Sequence, residues 1–501
     1  MHIGLLNPQG NFDPGDSYWT EHPDFGGQLV YVKQVALAMA ELGHRVDILT
    51  RQVVDPAWPE FAAPLDAYPG APGVRIVRLP AGPAGFLPKE RLWPHLVRDW
   101  APNIIAFYRD EGGWPDTLTA HYGDGGLCAA LIEAQAGVPF TFTAHSLGAQ
   151  KMDKLGVTAE TMAEIDTRYA FGCRLLAERL SMKCSAVNIT STRQERLEQY
   201  GHHAYRGAVD VNDDARFAVI PPGVNLAVFG ADARLENEAA VQQHVRERLA
   251  RDLGEERLGL PSIVASSRLD AKKNHLGLVQ AFAHSPTLQQ RANLVLITGA
   301  LDDPLRDDAA AGPSERAVLA QLRRVVDEHN LWGKISAFGV QGQPALAAAY
   351  RLLASQPGAC FALMALYEPF GLAPLEAAAA GLAVVVTQNG GPSESMREGE
   401  HEYGVLVDPA DPADIASGLE RIVCDAATWE QFARRGRQRV LDAYTWERTA
   451  QGYLAQLERI TRAPRAARRA ESLPLHPYFS DPRPENAVSV EELAGLYLGG
   501  K

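Results

Sequence analysis

Short apolar runs rich in β-branched residues alternate with longer stretches of helical periodicity along the chain. Parallel strands covered by helices give this pattern, because both faces of each strand are then buried. In the first half the predicted strands are Ile3–Asn7, Arg45–Thr50, Val74–Leu79, Thr117–Tyr122, Phe140–His145, Ala186–Thr190 and Phe217–Ile220. In the second half they are Ser262–Ser266, Leu294–Thr298, Lys334–Phe338, Cys360–Ala365, Ala383–Thr387 and Gly404–Val407. The pattern predicts an α/β fold with two doubly wound, Rossmann-like sheets in tandem.

A Pro-Pro-Gly segment at Pro221–Asn225 separates the two series of strands and favours neither helix nor strand. We therefore predict a first domain at 1–222, a second at 223–445 and a helix at 446–462 that returns to the first domain. The Arg- and Pro-rich stretch that follows predicts a tail over 463–501, with one short helix at 488–498. Ligands of open α/β sheets bind beyond the carboxyl ends of the strands, so two facing sheets would form a cleft.

Composition narrows the classes of partner. The net charge of −13 over 501 residues argues against nucleic acid or an anionic membrane as the main partner. No apolar stretch approaches ~18 residues and no basic leader starts the chain, so neither membrane spanning nor secretion is expected. The five cysteines are scattered and form no C-x-x-C pair, which is typical of reduced thiols in a cytoplasmic protein. An anionic substrate would require a local basic pocket.

The most informative motif is Tyr367–Glu376, which follows a predicted strand and leads into an alanine-rich helix. The amides and dipole of a helix N-terminus, here near Gly371 and Leu372, attract a diphosphate. Glu368 in the loop and Glu376, predicted about two turns into the helix, can accept hydrogen bonds from sugar or ribose hydroxyls. By themselves, the two glutamates fit a helix-dipole carboxylate and a solvated helix residue equally well.

Three further positions lie next to predicted strand ends or helix starts. Arg268 and Lys273, in the turn after the first strand of the second domain, can clamp two phosphates and offset leaving-group charge. The pair Gly26-Gly27 precedes a helix and lets a substrate approach the backbone. His145 ends a predicted strand and would lie at the ligand-binding edge of the sheet. Each feature also has a purely structural interpretation: Arg268 and Lys273 fit a solvated charged turn, Gly26-Gly27 fits an ordinary turn, and His145 fits a structural histidine.

Several classes of chemistry have no motif in the sequence. Neither a D-x-D sequence nor a histidine pair at metal-ligand spacing is present, so we expect no metal ion. Neither a P-loop nor a G-x-G-x-x-G after the first strand is present, which disfavours a P-loop ATPase and a dinucleotide oxidoreductase. The run Gly123-Asp124-Gly125-Gly126 resembles the dinucleotide motif only superficially.

Taken together, these residues resemble the retaining GT-B glycosyltransferases and, within them, the bacterial sucrose-phosphate synthases, over roughly residues 1–460. The superfamily shares the E-x7-E pair Glu368 and Glu376, the basic pair Arg268 and Lys273, and the Gly26-Gly27 loop. Five motifs are more specific to sucrose-phosphate synthases: Asn7–Gly10, Asp16–Asp24, Phe86–Glu90, His121–Gly126 and His145–Lys151. The stretch Phe171–Arg174 departs from relatives, in which it is richer in basic residues and histidine.

The resemblance implies two sites, the first for an acceptor and the second for a donor. In the first, an acceptor, fructose 6-phosphate, would contact Gly27, Gln28, Lys89, Tyr122, Ser146, Lys151 and Arg174. In the second, a nucleotide sugar, most simply UDP-glucose, would be bound through its nucleotide by Arg268, Lys273 and Glu376. The residues around the donor sugar and diphosphate would be His145, Glu368, Gly26, Gly27, Gly371, Leu372 and the Asn389–Pro392 turn, which includes Gly390 and Gly391. The basic residues also fit purely structural roles: Lys89 fits a surface lysine, and Arg174 has the spacing to form an ion pair with Glu178 on a helix.

The implied reaction is retaining transfer of glucose from UDP-glucose to fructose 6-phosphate, without a protein nucleophile or a required cofactor. Domain closure would exclude water, and a separate phosphatase would act on the product. One alternative is a synthase with another donor, such as GDP-mannose. A second alternative is a sucrose synthase, but an enzyme that uses unphosphorylated fructose would not need three cations at its acceptor site. A third is a non-catalytic sensor of sugar phosphates, but a sensor would not need all of the donor-site residues Arg268, Lys273, Glu368 and Glu376.

Overall fold

The computed structural model describes residues 1–19, 22, 24–463 and 474–499. The chain divides into two compact units, Met1–Pro221 with Thr449–Lys501, and Pro222–Arg448. The boundary falls inside the predicted segment Pro221–Asn225. Thr20, Glu21 and Pro23 of one predicted motif, and 464–473 of the predicted tail, lie outside the described residues.

The first unit is built on an eight-stranded sheet in the order β3-β4-β2-β1-β5-β6-β7-β8. Its strands are β1 His2–Leu6, β2 Arg45–Arg51, β3 Leu65–Ala67, β4 Val74–Leu79, β5 Thr117–His121, β6 Phe140–Thr143, β7 Val187–Thr190 and β8 Phe217–Val219. All neighbours are parallel except β3 and β4. Every residue of β5 and β6 is buried, as expected of central strands covered on both faces.

Helices connect the parallel strands of the first unit. They are α1 Gly27–Glu41, α2 Trp93–His95, α3 Ala101–Asp110, α4 Tyr122–Ala136, α5 Gly148–Lys154, α6 Met162–Tyr169 and α7 Phe171–Cys184. Two wider π-type segments, Leu96–Trp100 and Glu195–Tyr200, complete the helical part. Helix α4 begins directly after β5, and α5 begins a few residues after β6, so both helix starts lie at the carboxyl edge of the sheet.

The second unit has a six-stranded parallel sheet in the order β11-β10-β9-β12-β13-β16. Its strands are β9 Ser262–Ser266, β10 Asn293–Thr298, β11 Ile335–Gly339, β12 Cys360–Leu363, β13 Ala383–Thr387 and β16 Val405–Val407, with a separate hairpin of β14 Arg397–Glu398 and β15 His401–Glu402. Its helices are α8 Leu226–Phe229, α9 Glu238–Asp252, α10 His275–His284, α11 Pro286–Arg291, α12 Pro313–Glu328, α13 Gln343–Ala354, α14 Leu372–Ala379, α15 Pro392–Ser395, α16 Pro412–Val423 and α17 Ala426–Ala443. Successive residues Ile263 and Val264 belong to different core clusters, so the sheet is covered on both faces.

The C-terminal part of the chain returns to the first unit. Helix α18 Trp446–Arg462 begins in the second unit, and its residues from Thr449 onward belong to the first. The short helices α19 Pro477–Ser480 and α20 Val490–Tyr497 follow, the latter at the place of the predicted tail helix. Phe479, Leu493 and Tyr497 join the core of the first unit, so the described part of the tail is packed.

The prediction of two doubly wound, Rossmann-like sheets is confirmed in both units. In each sheet the strand order reverses beside the first strand, between β1 and β5 and between β9 and β12, which is where such folds bind ligands. The strand predicted at Phe140–His145 is wrong at its end, because His145 has a left-handed backbone with φ 55°. Strand β3 and the hairpin were not predicted. Across the described residues, no helix is long and apolar enough to cross a membrane.

Candidate active site

A polar cavity of about 290 Å³ lies in the first unit. Its walls come from the loop after β1, the start of α1, the segment that leads into α2, the start of α4, the loop before α5 with α5 itself, the end of α6 and the start of α7. The lining residues are Gln9, Asp24, Gln28, Lys89, Glu90, Trp93, Tyr122, Gly123, Asp124, Ser146, Lys151, Tyr169 and Arg174. All the predicted acceptor residues except Gly27 are among them, although they come from distant parts of the sequence. Gly27 instead forms the first residue of α1, next to Gln28.

Three cations converge on this cavity. The Nζ atom of Lys89 donates to Asp24 Oδ1 at 2.5 Å. Arg174 donates from Nε to Glu178 Oε1 at 2.8 Å and from Nη2 to the Ser146 carbonyl at 2.8 Å, so the sequence-based pairing with Glu178 is present and Arg174 still lines the cavity. Burial lowers the pKa of Lys151, and the positive charges of Arg174 and Lys89 lower it further. A bound anion would relieve this repulsion.

A buried carboxyl group, Asp124, lies in the same cavity as the cations. The Gly125 amide donates to its Oδ1 at 2.8 Å, and burial raises the pKa of Asp124 to about 6. The His121–Gly126 motif brings α4 close to α7, because a Cβ on Gly126 would lie 2.1 Å from Ser181 Oγ. We did not predict Asp124 as a site residue, although it stands in the His121–Gly126 motif. Cations and a carboxyl group together suit a ligand with both phosphate and hydroxyl groups.

His145 lies beside this cavity, at the carboxyl end of β6. Both His145 (φ 55°) and Tyr122 (φ 61°) have left-handed backbones, a conformation that is uncommon outside glycine and concentrates at functional sites. His145 Nε2 and His121 Nδ1 are 2.8 Å apart. Desolvation lowers the pKa of His145 to about 3, and that of His121 also falls. Both rings are therefore neutral at pH 7, and His145 offers a hydrogen bond rather than a charge.

In the second unit, the turn after β9 and the loop after β12 are joined. Lys273 Nζ donates to Glu368 Oε2 at 2.6 Å, and the Leu366 amide donates to the Lys272 carbonyl at 2.9 Å. Arg268 is exposed, and within the part of the chain that the structure describes its guanidinium has no hydrogen-bonding or ion-pair partner. The predicted basic pair thus consists of one cation held by a carboxylate and one that is available.

The glycine turn after β13 packs against Glu368 through the backbone. The Glu368 amide donates to the Asn389 carbonyl at 3.1 Å, and the Gly391 amide donates to the Glu368 carbonyl at 2.9 Å. Gly390 has φ 96°, and a Cβ there would lie 2.0 Å from the Glu368 carbonyl oxygen, so only glycine fits. Gly371, with φ 88°, precedes α14, whose first turn has no side-chain cap. Pro374 has no amide hydrogen, so this first turn offers the amides of Leu372 and Ala373, for which no side-chain acceptor lies among the described residues.

Glu376 is the fifth residue of α14, about one turn into the helix. The predicted depth of two turns is wrong, because Glu376 stands only four residues after the helix start at Leu372 and one turn takes about 3.6 residues. Desolvation raises the pKa of Glu376 to about 7. The carboxyl group therefore changes its protonation state near neutral pH.

A second cavity of about 500 Å³ lies at the carboxyl ends of β9, β10 and β11. Its lining includes Arg268 together with Ser267, Thr298, Gly342 and Gln343. We did not predict the last four, because small and amide side chains form no charged motif. Over residues 1–19, 22, 24–463 and 474–499, no group of three or more histidine, cysteine, aspartate or glutamate residues is placed to hold a metal ion.

Comparisons with known proteins identify the family. The model for the glycosyl transferase 4-like domain matches residues 26–223, and that for glycosyl transferases group 1 matches 250–439. A probable sucrose-phosphate synthase from Thermosipho melanesiensis is 39% identical over 459 residues, which cover 92% of this chain and 97% of that protein. The chain belongs to the sucrose-phosphate synthase family. A probable sucrose-phosphate synthase 2 from Arabidopsis thaliana is 33% identical, but the chain spans only 47% of its length.

Solved structures share the fold, and one of them is a sucrose-phosphate synthase. A sucrose-phosphate synthase from Thermosynechococcus elongatus matches with a TM-score of 0.61 and 26% identity, over 92% of this chain and 98% of that one. The catalytic domain of starch synthase IV from Arabidopsis thaliana matches with a TM-score of 0.59 and 13% identity, over 92% and 99% of the two chains. The predicted GT-B fold and the predicted resemblance are confirmed, and the chain is a glycosyltransferase.

Proposed function

We propose that this glycosyltransferase transfers glucose from UDP-glucose to fructose 6-phosphate, with retention of configuration, and releases sucrose 6-phosphate and UDP. The observation that supports it most is the convergence of Lys89, Lys151 and Arg174 on one cavity that also contains Asp124. The cations would bind the acceptor phosphate and the carboxyl group a sugar hydroxyl. With unphosphorylated fructose, only the negative charge of Glu90 would oppose the repulsion of the half-buried Lys151 ammonium by Arg174 and Lys89.

The donor is proposed to bind the second unit. Sucrose phosphate, the product in the relatives' names, joins a glucosyl group to a fructosyl phosphate, so its synthesis requires an activated glucose. Arg268, Lys273 and the N-terminus of α14 are proposed to hold the diphosphate. Glu376 would accept hydrogen bonds from the ribose, and the cavity of about 500 Å³ is large enough for the base.

The proposed chemistry is one displacement at the anomeric carbon. The bond from this carbon to the diphosphate oxygen breaks, and the acceptor hydroxyl oxygen forms the new bond on the same face. The hydroxyl proton passes to the departing phosphate, so no protein nucleophile and no further cofactor is needed. Arg268 stabilises the charge that develops on the diphosphate, and neutral His145 donates or accepts a hydrogen bond at the donor sugar.

The remaining assignments concern the cellular setting. We infer a cytoplasmic enzyme, because Cys128, Cys173, Cys184, Cys360 and Cys424 are all free thiols. We infer neither nucleic acid nor membrane as a partner, in keeping with the net charge of −13. The product is a phosphate monoester, so we expect a separate phosphatase to consume it.

The acceptor assignment is tested by comparing acceptors at saturating UDP-glucose. Initial rates are measured with fructose 6-phosphate, fructose and no acceptor. We expect kcat/KM for fructose 6-phosphate to exceed that for fructose by about a hundredfold or more, because charge-assisted hydrogen bonds to the phosphate are lost with fructose. Equal use of the two acceptors would contradict the proposal and favour a sucrose synthase.

A further inference from the structure

The C-terminal segment, residues 474–499, packs against the wall of the acceptor cavity. Phe479 is 1% exposed, and its ring centre lies 6.4 Å from that of Trp93, a residue that lines the cavity. Asp481 lies 3.7 Å from Arg98 in the same helical stretch. The segment therefore touches the element that follows Lys89 in the chain.

The same segment packs against the helix that presents Arg174. A Cβ on Gly172 would lie 2.9 Å from Cγ1 of Val488, so the segment approaches α7 at its first turn. Gly172 stands two residues before Arg174. Leu493, in helix α20, is fully buried in the same core cluster as Phe171 and Leu175. The segment thus packs against helix α7 close to Arg174, which lines the cavity.

A third contact reaches the helix that presents Lys151. The Tyr497 hydroxyl donates to Asp153 Oδ1 at 2.6 Å, and Asp153 stands two residues after Lys151 in α5. His202 Nε2 lies 3.2 Å from the other oxygen of Asp153, and its ring stacks on Tyr497 with centres 5.9 Å apart at 9°. His203 is hydrogen-bonded to the Tyr497 carbonyl. Tyr497 is therefore held on both its ring and its backbone, and it holds Asp153.

We propose that the C-terminal segment positions Lys151 and Arg174 for the acceptor phosphate, with Tyr497 as a positioning residue that acts through Asp153. The proposal rests on the proposed function, in that the acceptor is a phosphorylated sugar. Helix α5 has seven residues, too few for stability without tertiary contacts. A small displacement of Lys151 or Arg174 would strongly weaken its hydrogen bonds to the acceptor phosphate. Loss of the Tyr497 contact should therefore lower the affinity for the acceptor.

The variant Tyr497→Phe tests this role, because it keeps the buried ring and removes only the hydroxyl. We expect KM for fructose 6-phosphate to rise, by at most about fivefold, since one hydrogen bond that positions α5 is lost and none to the acceptor itself, with kcat and KM for UDP-glucose unchanged. Affinity for inorganic phosphate, measured by calorimetry, should fall by the same factor. The matched control is Tyr403→Phe in the second unit, which loses a 3.3 Å hydrogen bond to Glu398 and should change neither value.

A double-mutant cycle separates positioning from general destabilisation. Asp153→Ala should raise KM for fructose 6-phosphate at least as much as Tyr497→Phe, and the double variant should be no worse than Asp153→Ala alone. The proposal would be overturned by any of three results: the increases in KM of the two single variants multiply in the double variant, KM is unchanged in Tyr497→Phe, or KM rises equally for fructose 6-phosphate and UDP-glucose. If the wild type does not use fructose 6-phosphate, the proposed function fails, while phosphate binding still decides the positioning role. Should Tyr497→Phe not fold, Asp153→Ala at this exposed position removes the same contact and decides the role.

Discussion

The two units hold their positive charge in different ways. In the first, Lys89 and Arg174 are each bound to a carboxylate, Asp24 and Glu178, so the cavity is preorganised before an anion arrives. In the second, Lys273 is likewise bound to Glu368, but Arg268 is exposed just after β9, and within the described residues its guanidinium has no hydrogen-bonding or ion-pair partner. A preorganised site favours ground-state binding, whereas an available cation is best used on charge that develops in the transition state. We therefore expect changes in the first unit to affect KM and a change at Arg268 to affect kcat.

The largest expected effect is that of Arg268→Ala. We expect kcat to fall by about a hundredfold to a thousandfold, since one donor to a developing charge is removed. The melting temperature should not change, because the side chain is exposed. Arg316→Ala, at another exposed arginine of the same unit, is the control and should be fully active. Near-normal turnover of Arg268→Ala would show that Arg268 does not stabilise the departing diphosphate.

The acceptor cavity is tested by Lys151→Ala. We expect KM for fructose 6-phosphate to rise about tenfold to a hundredfold, the effect of a lost charged hydrogen bond, with little change in kcat or in KM for UDP-glucose. Steady-state kinetics with each substrate varied measures this. Lys154→Ala, an exposed lysine in the same helix, should leave these constants unchanged. A fall in kcat at constant KM would break the contrast between the two units.

Glu376 in the second unit and Asp124 in the first should make the stability of the protein depend on pH over different ranges. The pKa of Glu376 is about 7 in the folded second unit, above its ordinary value of 4.5, so the folded state binds the proton more tightly than the unfolded state. The stability from the neutral form is complete below pH 4.5 and is lost as pH rises to 7. Glu376→Gln should therefore be more stable than wild type at pH 8, by roughly 2–3 kcal/mol, and equally stable at pH 4.5.

Urea unfolding at a series of pH values measures this difference. Asp124→Asn, in the first unit, is the matched comparison, because the pKa of Asp124 is raised only to about 6. Its stabilisation should be complete at a pH about one unit lower than that of Glu376→Gln. A Glu376→Gln variant whose advantage does not depend on pH would contradict the shifted pKa.

Much of the fold could be predicted because buried parallel strands form continuous apolar runs. Ser262–Ser266 and Ala383–Thr387 have the predicted bounds, since apolar residues there end abruptly at turn-forming ones. Strand β3 could not be predicted in this way. It has three residues, Leu65–Ala67, and exists through antiparallel pairing with β4, so its partner rather than its own composition determines it.

The site was predicted to the extent that its residues stand in motifs. Lys89 and Arg174 were placed in the acceptor site by resemblance, and both line the cavity. The bond between Lys273 and Glu368 joins residues that are 95 positions apart, and no local pattern reports such a pairing. The partnership of His121 with His145 was missed for the same reason, because it depends on the register of β5 with β6.

The most direct test of the central claim is a donor comparison on the purified protein. Fructose 6-phosphate is incubated separately with UDP-glucose, ADP-glucose, GDP-glucose and GDP-mannose, nucleotide release is followed, and the sugar product is identified by mass and linkage. We expect sucrose 6-phosphate, formed preferentially from UDP-glucose. Release with another donor alone, or binding of both substrates without turnover, would contradict it.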